Sequence, residues 1–224
     1  MIRGIGDRTM AYDTSTVIFS PQGDIIQLEY ARKAVEKGAT TLGIRAETFV
    51  VLAGIRKESK LIEAPKKIHK IDSHIAATAA GLQADTSALV KRARILAQIH
   101  HLTYDEPIPT ATLANQLGEF LTNYTLIGGL RPFGTSILLG GMSSATADLI
   151  MVDPGGAIFR CKAVAIGQNA EAANNLLKQL PKTPLSKEDA IKTAKEALQQ
   201  SIVDPEQESI NIAFVDATGI VHEA

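Results

Sequence analysis

Five histidines and one cysteine are the first residues to test for chemistry. His100 and His101 are adjacent, so on a helix they point about 100° apart and cannot act as an i, i+4 metal pair. His69, His74 and His222 show no ligand spacing either, and the reading is that no metal is bound. The Gly-Gly pairs lack the strand-turn-helix context and the lysine of a phosphate-binding loop, which argues against a nucleotide. Cys161 is the single cysteine and cannot form an internal disulfide. No convergent set of titratable side chains appears, so a stand-alone metabolic enzyme is disfavoured, and no cofactor is expected.

The bulk properties point the same way. Apolar residues make up 45% of 224, charged residues 21%, and the formal net charge is −1, which leaves no electrostatic footprint for nucleic acid or an anionic membrane. A large partner is therefore expected to be protein. Aromatics are only 4% with no Trp, so Ala, Ile, Leu and Val must fill the core. MIRGIGDRTMAYD carries no apolar stretch of signal or membrane length, and a cytoplasmic location is expected.

Any functional side chain must be positioned by the elements that the patterns predict. Residues 1–11 read as a mobile arm. Pro21-Gln22-Gly23 is a turn, Asp24 and Gln27 resemble a capping box, and a helix over 24–36 carries Leu28, Ala31 and Val35 on one face, with Gly38 as its left-handed stop. TTLGI, TFVVLA, KKIHKI and HIAATAA read as short antiparallel strands. Helices are predicted over about 85–102 and 110–124, separated by DEPIP, whose prolines forbid continuation. GTSILLGGM, DLIMVD and AIFRCKAVAIG read as further strands. Two more helices follow, over 169–180 and after Ser186, whose hydroxyl can cap with Asp189 in the return position. SINIAFV, DATG and IVHE close a hairpin. Strand batches that each precede a helix pair do not fit a doubly wound parallel sheet. They predict an α+β fold, a four-layer αββα sandwich of two antiparallel sheets flanked by helices, with an extra N-terminal helix, in one domain over 1–224.

Tyr12-Asp13, FSPQG at 19–23, QLEYARKAV at 27–35 and Gly38 before TTLGIR resemble the signature of proteasome α-type subunits. KIHKID at 67–72, AGLQAD at 80–85, GGLRPFGTS at 128–136, DPGG at 153–156 and AIGQN at 165–169 extend the resemblance over nearly the whole chain. It implies the sandwich of N-terminal-nucleophile hydrolases. It also implies a seven-membered ring of α subunits stacked on proteasome β subunits, with unfolded protein substrates passing through.

The resemblance also bears on catalysis. Catalytic relatives use a threonine at the mature N-terminus, with its own α-amine as general base. The equivalent position here is Ala39, which has no hydroxyl, and the acidic partner falls near Ile55. Only the lysine, Lys67, is kept. Thr40 and Thr41 read as β-formers inside a strand. A non-catalytic subunit follows; the rival reading is a threonine peptidase processed before Thr40.

In similar subunits the lysine matching Lys67 receives the C-terminal carboxylate of a regulatory ATPase or other activator ring, with Gly38, Gly81 and Leu82 as the pocket wall. The bland alternative is a solvated lysine in the Lys66-Lys67 pair. Tyr12, Asp13, Pro21 and Tyr30 match a cluster that, in similar subunits, holds the N-terminal arms away from the pore; the bland alternative is that both tyrosines are packing residues. Thr14 replaces an arginine common there, and Asp24 stands where a basic residue is common. Ile127, Gly128 and Gly129 match the loop that narrows the channel, with Ile127 in place of an aromatic; locally, a helix-ending turn explains them equally well. The final Val-His-Glu-Ala lacks the hydrophobic-Tyr tail of an activator.

Overall fold

A computed structural model describes residues 19–20, 22–61, 63–143, 146–180 and 185–223. The expected arm over 1–11 lies outside them. Helix α1 (Ile26–Glu36) leads into strands β1 (Thr41–Arg45), β2 (Phe49–Lys57), β3 (Ile68–Asp72) and β4 (Ile75–Gly81). Helices α2 (Gln83–Tyr104) and α3 (Thr110–Leu126) follow, then β5 (Thr135–Ser143), β6 (Thr146–Val152), β7 (Ile158–Arg160) and β8 (Ala163–Ile166). Helices α4 (Ala170–Leu177) and α5 (Lys187–Gln199) precede the hairpin β9 (Glu208–Asp216) and β10 (Gly219–Glu223).

Among the described residues every strand pair is antiparallel, in two five-stranded sheets ordered β10-β9-β2-β1-β8 and β3-β4-β5-β6-β7. Each sheet mixes strands from both halves of the chain. Strand β2 shows why the layers stack: its side chains alternate between two buried faces. Val50 and Leu52 meet Leu138, Leu149 and Val215 between the sheets. Val51, Ala53 and Ile55 instead pack with Ala173, Ala194 and Leu198 of the α4–α5 layer. On the opposite side Ile75, Ala77 and Leu139 pack under Leu89, Ala93, Leu113 and Leu117. These four layers are the predicted αββα sandwich, with α1 added to it.

Local expectations fared unevenly. Ser186 caps α5 as read, accepting from the Asp189 N–H. The Asp24–Gln27 capping box does not form: α1 starts at Ile26, its N-cap is Ile25, and no side chain caps it. The Asp24 N–H is instead held by Ser20 Oγ at 3.2 Å, so the turn binds itself rather than the helix end. Gly38 is not a left-handed stop either, because α1 ends through Lys37 in a right-handed conformation and Gly38 is absent from the positive-φ glycines. AIFRCKAVAIG is two strands, β7 and β8, which belong to different sheets. At β8, the edge of its sheet, the Asn174 side chain pairs with both the N–H and the C=O of Ala165 at 2.9 Å, closing the edge as a neighbouring strand would.

One ion pair ties the helix layer to the end of β9. Lys187 Nζ donates to Asp216 Oδ2 and lies 4.5 Å from the Phe214 ring centroid. Asp216 also accepts from the Thr218 N–H at 2.8 Å and from its hydroxyl. The Lys187 hydrogen bond, followed by those from Thr218, depresses the Asp216 carboxyl to about 2. A carboxyl lowered in the folded state stabilises above its unfolded value near 3.8, and that contribution is lost as pH falls through about 2. Lys187 is 40% exposed, so screening limits the gain to about 1 kcal/mol. Asp216→Asn should lower Tm by about 2–4 °C at pH 7, with most of that difference gone at pH 2, read by thermal scans at both pH values.

Candidate functional site

The residues singled out around Gly38 and Lys67 converge at one end of the sandwich. Lys67 sits just before β3, and its stem lies across Gly54 of β2. A Cβ on Gly54 would come within 2.7 Å of Lys67 Cγ and 2.8 Å of Cε. The stem packs directly on this glycine, and the ammonium ends at two carbonyls, Ala39 at 2.8 Å and Ala79 at 2.7 Å. Among the described residues no carboxylate pairs with it. Burial lowers its pKa to about 8, so it stays mostly charged at neutral pH while being poorly compensated. Two acceptors leave one of its three N–H donors for something else.

The hydroxyls nearby are occupied. Thr41 Oγ1 donates to the Ala53 carbonyl at 2.7 Å or shares a proton with Thr78 Oγ1 at 2.6 Å, and Thr78 Oγ1 donates to the Lys67 carbonyl at 3.0 Å. Thr40 Oγ1 donates to the Gln168 carbonyl. Both threonines sit in mid-chain and are about 1% exposed or less. Ile55 is 2% exposed, among the apolar residues of the α4–α5 layer. In the uncut chain neither threonine carries a free α-amine, and the position read as the acidic partner is the buried, uncharged Ile55.

The wall of this site is backbone. Gly38 lies so close to Gly81 that a Cβ on it would be 2.1 Å from the Gly81 nitrogen. This close approach, and not a helix stop, is what position 38 requires. The Leu82 N–H donates to the Gly134 carbonyl at 2.9 Å, and the Leu82 side chain is 46% exposed. Gly38, Gly81, Leu82 and Lys67 are therefore neighbours.

Tyr30 lies on α1, half-exposed, with Lys33 Nζ 5.8 Å from its ring centroid. Tyr12, Asp13, Thr14 and Pro21 lie outside the described residues. Ile127 is the C-cap of α3 and is 53% exposed. Gly128 is exposed, and Gly129 turns at φ +86° with open space around it. Sequence reasoning missed a link between this loop and the pocket: the Asp85 carboxylate holds Arg131 and the Gly134 N–H. Asp85 ends the AGLQAD stretch and Arg131 lies within GGLRPFGTS, but nothing in either stretch says that they meet.

Among the described residues no three or more His, Cys, Asp or Glu gather as metal ligands, and no helix is long and apolar enough to cross a membrane. A broad groove lined by Glu47, Thr48, Asp148 and Arg160 lies at the β1–β2 turn, away from Lys67. Its size does not make it the site, since its charged side chains are of mixed sign and Asp148 is already paired to Arg160.

Similarity to known proteins runs through this same set of residues. A family described as "Proteasome subunit" matches residues 35–215, and the "N-terminal signature" of A-type proteasome subunits matches residues 12–34. "Proteasome subunit alpha" of Archaeoglobus fulgidus is 43% identical over 210 residues, 92% of this chain and 85% of that one. The protein of the same name from Thermococcus sibiricus is 41% identical over 207 residues, 91% of this chain and 79% of its own length. That of Methanobrevibacter smithii is 42% identical over 193 residues, 85% and 77% of the two chains.

Proposed function

The chain belongs to the proteasome subunit family as an α-type member, and from that premise we propose that it is a non-catalytic subunit which admits unfolded protein and receives an activator. As one α-type domain it joins other α subunits in a seven-membered ring, stacked on a ring of proteasome β subunits in the cytoplasm. The carboxylate terminus of an activator docks beside Lys67 against Gly38, Gly81 and Leu82. Tyr12, Asp13, Pro21 and Tyr30 hold the gate, and Ile127, Gly128 and Gly129 line the channel below it.

The observation that carries this reading is the part-buried Lys67 ammonium, held at the Ala39 and Ala79 carbonyls with a third donor that no hydrogen bond among the described residues takes up, while the neighbouring Thr41 and Thr78 hydroxyls are already engaged. In a catalytic relative such a lysine tunes a threonine. Here position 39 is alanine, so the same cation is left to meet an outside anion. A charge-assisted hydrogen bond contributes roughly 1.5–3 kcal/mol, and repetition around a ring multiplies its effect on avidity.

The non-catalytic half is tested by mass spectrometry of the protein co-expressed with a catalytic subunit. The expected result is an uncut segment through Gly38–Thr41 within a large assembly. Cleavage before Thr40, or a monomer of about 24 kDa that never joins the assembly, would overturn it.

A further inference from the structure

Asp85 stands in the first turn of α2 and is only 6% exposed, yet it carries a charge. Its two oxygens accept both terminal nitrogens of Arg131, at 2.7 and 2.8 Å, and Oδ2 also accepts the Gly134 N–H at 2.8 Å. Arg131 Nη1 further donates to the Pro132 carbonyl at 3.0 Å. The segment 131–134 is thereby folded around one carboxylate. The Arg131 hydrogen bond, and then that of Gly134, outweigh burial and hold the Asp85 carboxyl below its usual range, so the pair stays charged.

Both ends of this clamp reach the proposed site. On one side the Gly134 carbonyl accepts from Leu82, while Thr135 Oγ1 donates to the Ala80 carbonyl at 3.0 Å and meets Thr86 Oγ1 at 2.9 Å. The pocket wall is thus hung on residues 134 and 135. On the other side Arg131 directly follows the exposed turn 127–130, which closes on itself through the Leu130 N–H and Ile127 carbonyl at 3.3 Å. Helix α1 joins them, since a Cβ on Gly134 would lie 2.9 Å from Leu82 Cδ1 and 3.3 Å from Ala34 Cβ. A bidentate arginine–carboxylate pair fixes angle as well as distance, and this one is the charged tie between wall and loop.

We propose that Asp85 is a positioning residue for the Lys67 pocket and that, through Arg131 and Gly134, it makes the Gly81–Leu82 wall and the 127–130 loop move together. Occupancy beside Lys67 is then felt at the loop, and by linkage the loop acts back on affinity. This coupling rests on the docking reading above.

Its test uses assembled rings and a hydrophobic heptapeptide with a free C-terminal carboxylate, against the same peptide as a C-terminal amide. Affinity is measured alongside amide hydrogen exchange over 127–131, with and without saturating peptide. In the wild type the free acid should alter exchange in that loop and the amide should not. Asp85→Asn should weaken the free acid roughly tenfold and abolish the loop's response even at saturation. A merely structural role would raise basal exchange but leave the response to peptide intact, and that result overturns the coupling. Should Asp85→Asn rings fail to assemble, Arg131→Lys, altered at a side chain 62% exposed, keeps the charge and loses the fork, and it should show the same lost response. Lys67→Ala separates the two claims. If it binds the free acid like wild type, the docking reading falls and this one with it. If it loses binding while Asp85→Asn responds normally, only the coupling falls.

Discussion

Lys67→Ala should abolish activator docking while leaving ring assembly intact. The substitution removes the one cation that, among the described residues, is hydrogen-bonded at the Ala39 and Ala79 carbonyls, and those carbonyls would then repel an incoming carboxylate rather than present a positive charge to it. A single site loses roughly 1.5–3 kcal/mol, a factor of about ten to a hundred, and a multivalent tail ring loses it at every position. Lys67→Arg should not rescue docking, because the stem is pressed against Gly54 and a planar guanidinium is larger than an ammonium. The same site predicts a pH profile. With its pKa lowered to about 8 by burial, free Lys67 loses its proton as pH rises through that value, and a bound carboxylate would raise it again. Affinity should therefore fall above about pH 8, and Lys67→Ala should flatten that limb. Folding stability runs the other way. The unfolded chain keeps the proton up to about 10.5, so the wild type gains stability between about 8 and 10.5. Unchanged activator affinity in Lys67→Ala, measured at pH 7, would remove the docking proposal.

Much of this architecture was legible because burial writes itself into period. The alternation in FVVLAGI and the spacing of Leu89, Ala93 and Ala97 are consequences of what each residue packs against, so strands and helices could be placed to within a few residues. Sheet membership was not legible. AIFRCKAVAIG is one β-rich run, yet β7 pairs with β6 while β8 crosses to pair with β1, and local composition carries no trace of the partner. The false capping box at Asp24 has the same origin. The S/T/D-x-x-E/Q spacing is real, but Ser20 competes for the same turn, and a short-range pattern cannot tell which backbone group wins. Within the site, Lys67 could be singled out by similarity, whereas its two carbonyl acceptors come from 28 and 12 residues away and depend on the stacking of the sheets. The Asp85–Arg131 clamp, 46 residues apart, was hidden for the same reason.

The wall of the pocket makes the second large expectation, and two glycines set its scale. Gly129 and Gly81 both have positive φ, +86° and +127°. A Cβ at Gly129 meets nothing within 4 Å, so Gly129→Ala pays only for its backbone conformation, about 1–2 kcal/mol. A Cβ at Gly81 would lie 2.1 Å from the Gly134 carbonyl oxygen, on the residue just before β5, and 2.7 Å from Cα of Thr135, which pairs with Gly81 across the β4–β5 ladder; both are backbone atoms, so the clash is not relieved by a side-chain rotation. Gly81→Ala therefore adds an overpacking cost of about 1–3 kcal/mol to a comparable backbone strain. The sum, roughly 3–5 kcal/mol, is a large share of the roughly 5–15 kcal/mol that holds a typical domain. Thermal unfolding should show Gly129→Ala a few degrees below wild type and Gly81→Ala lower by about 10 °C or not folded at all. A milder version separates packing from docking: Leu82→Ala trims a half-exposed side chain on the same wall without touching its backbone, and should weaken the activator while leaving Tm nearly unchanged. Equal melting of the two alanine-for-glycine variants would mean that the Gly81–Gly134 contact is not as close as the wall requires, and the case for a rigid backbone-lined pocket beside Lys67 would fail with it.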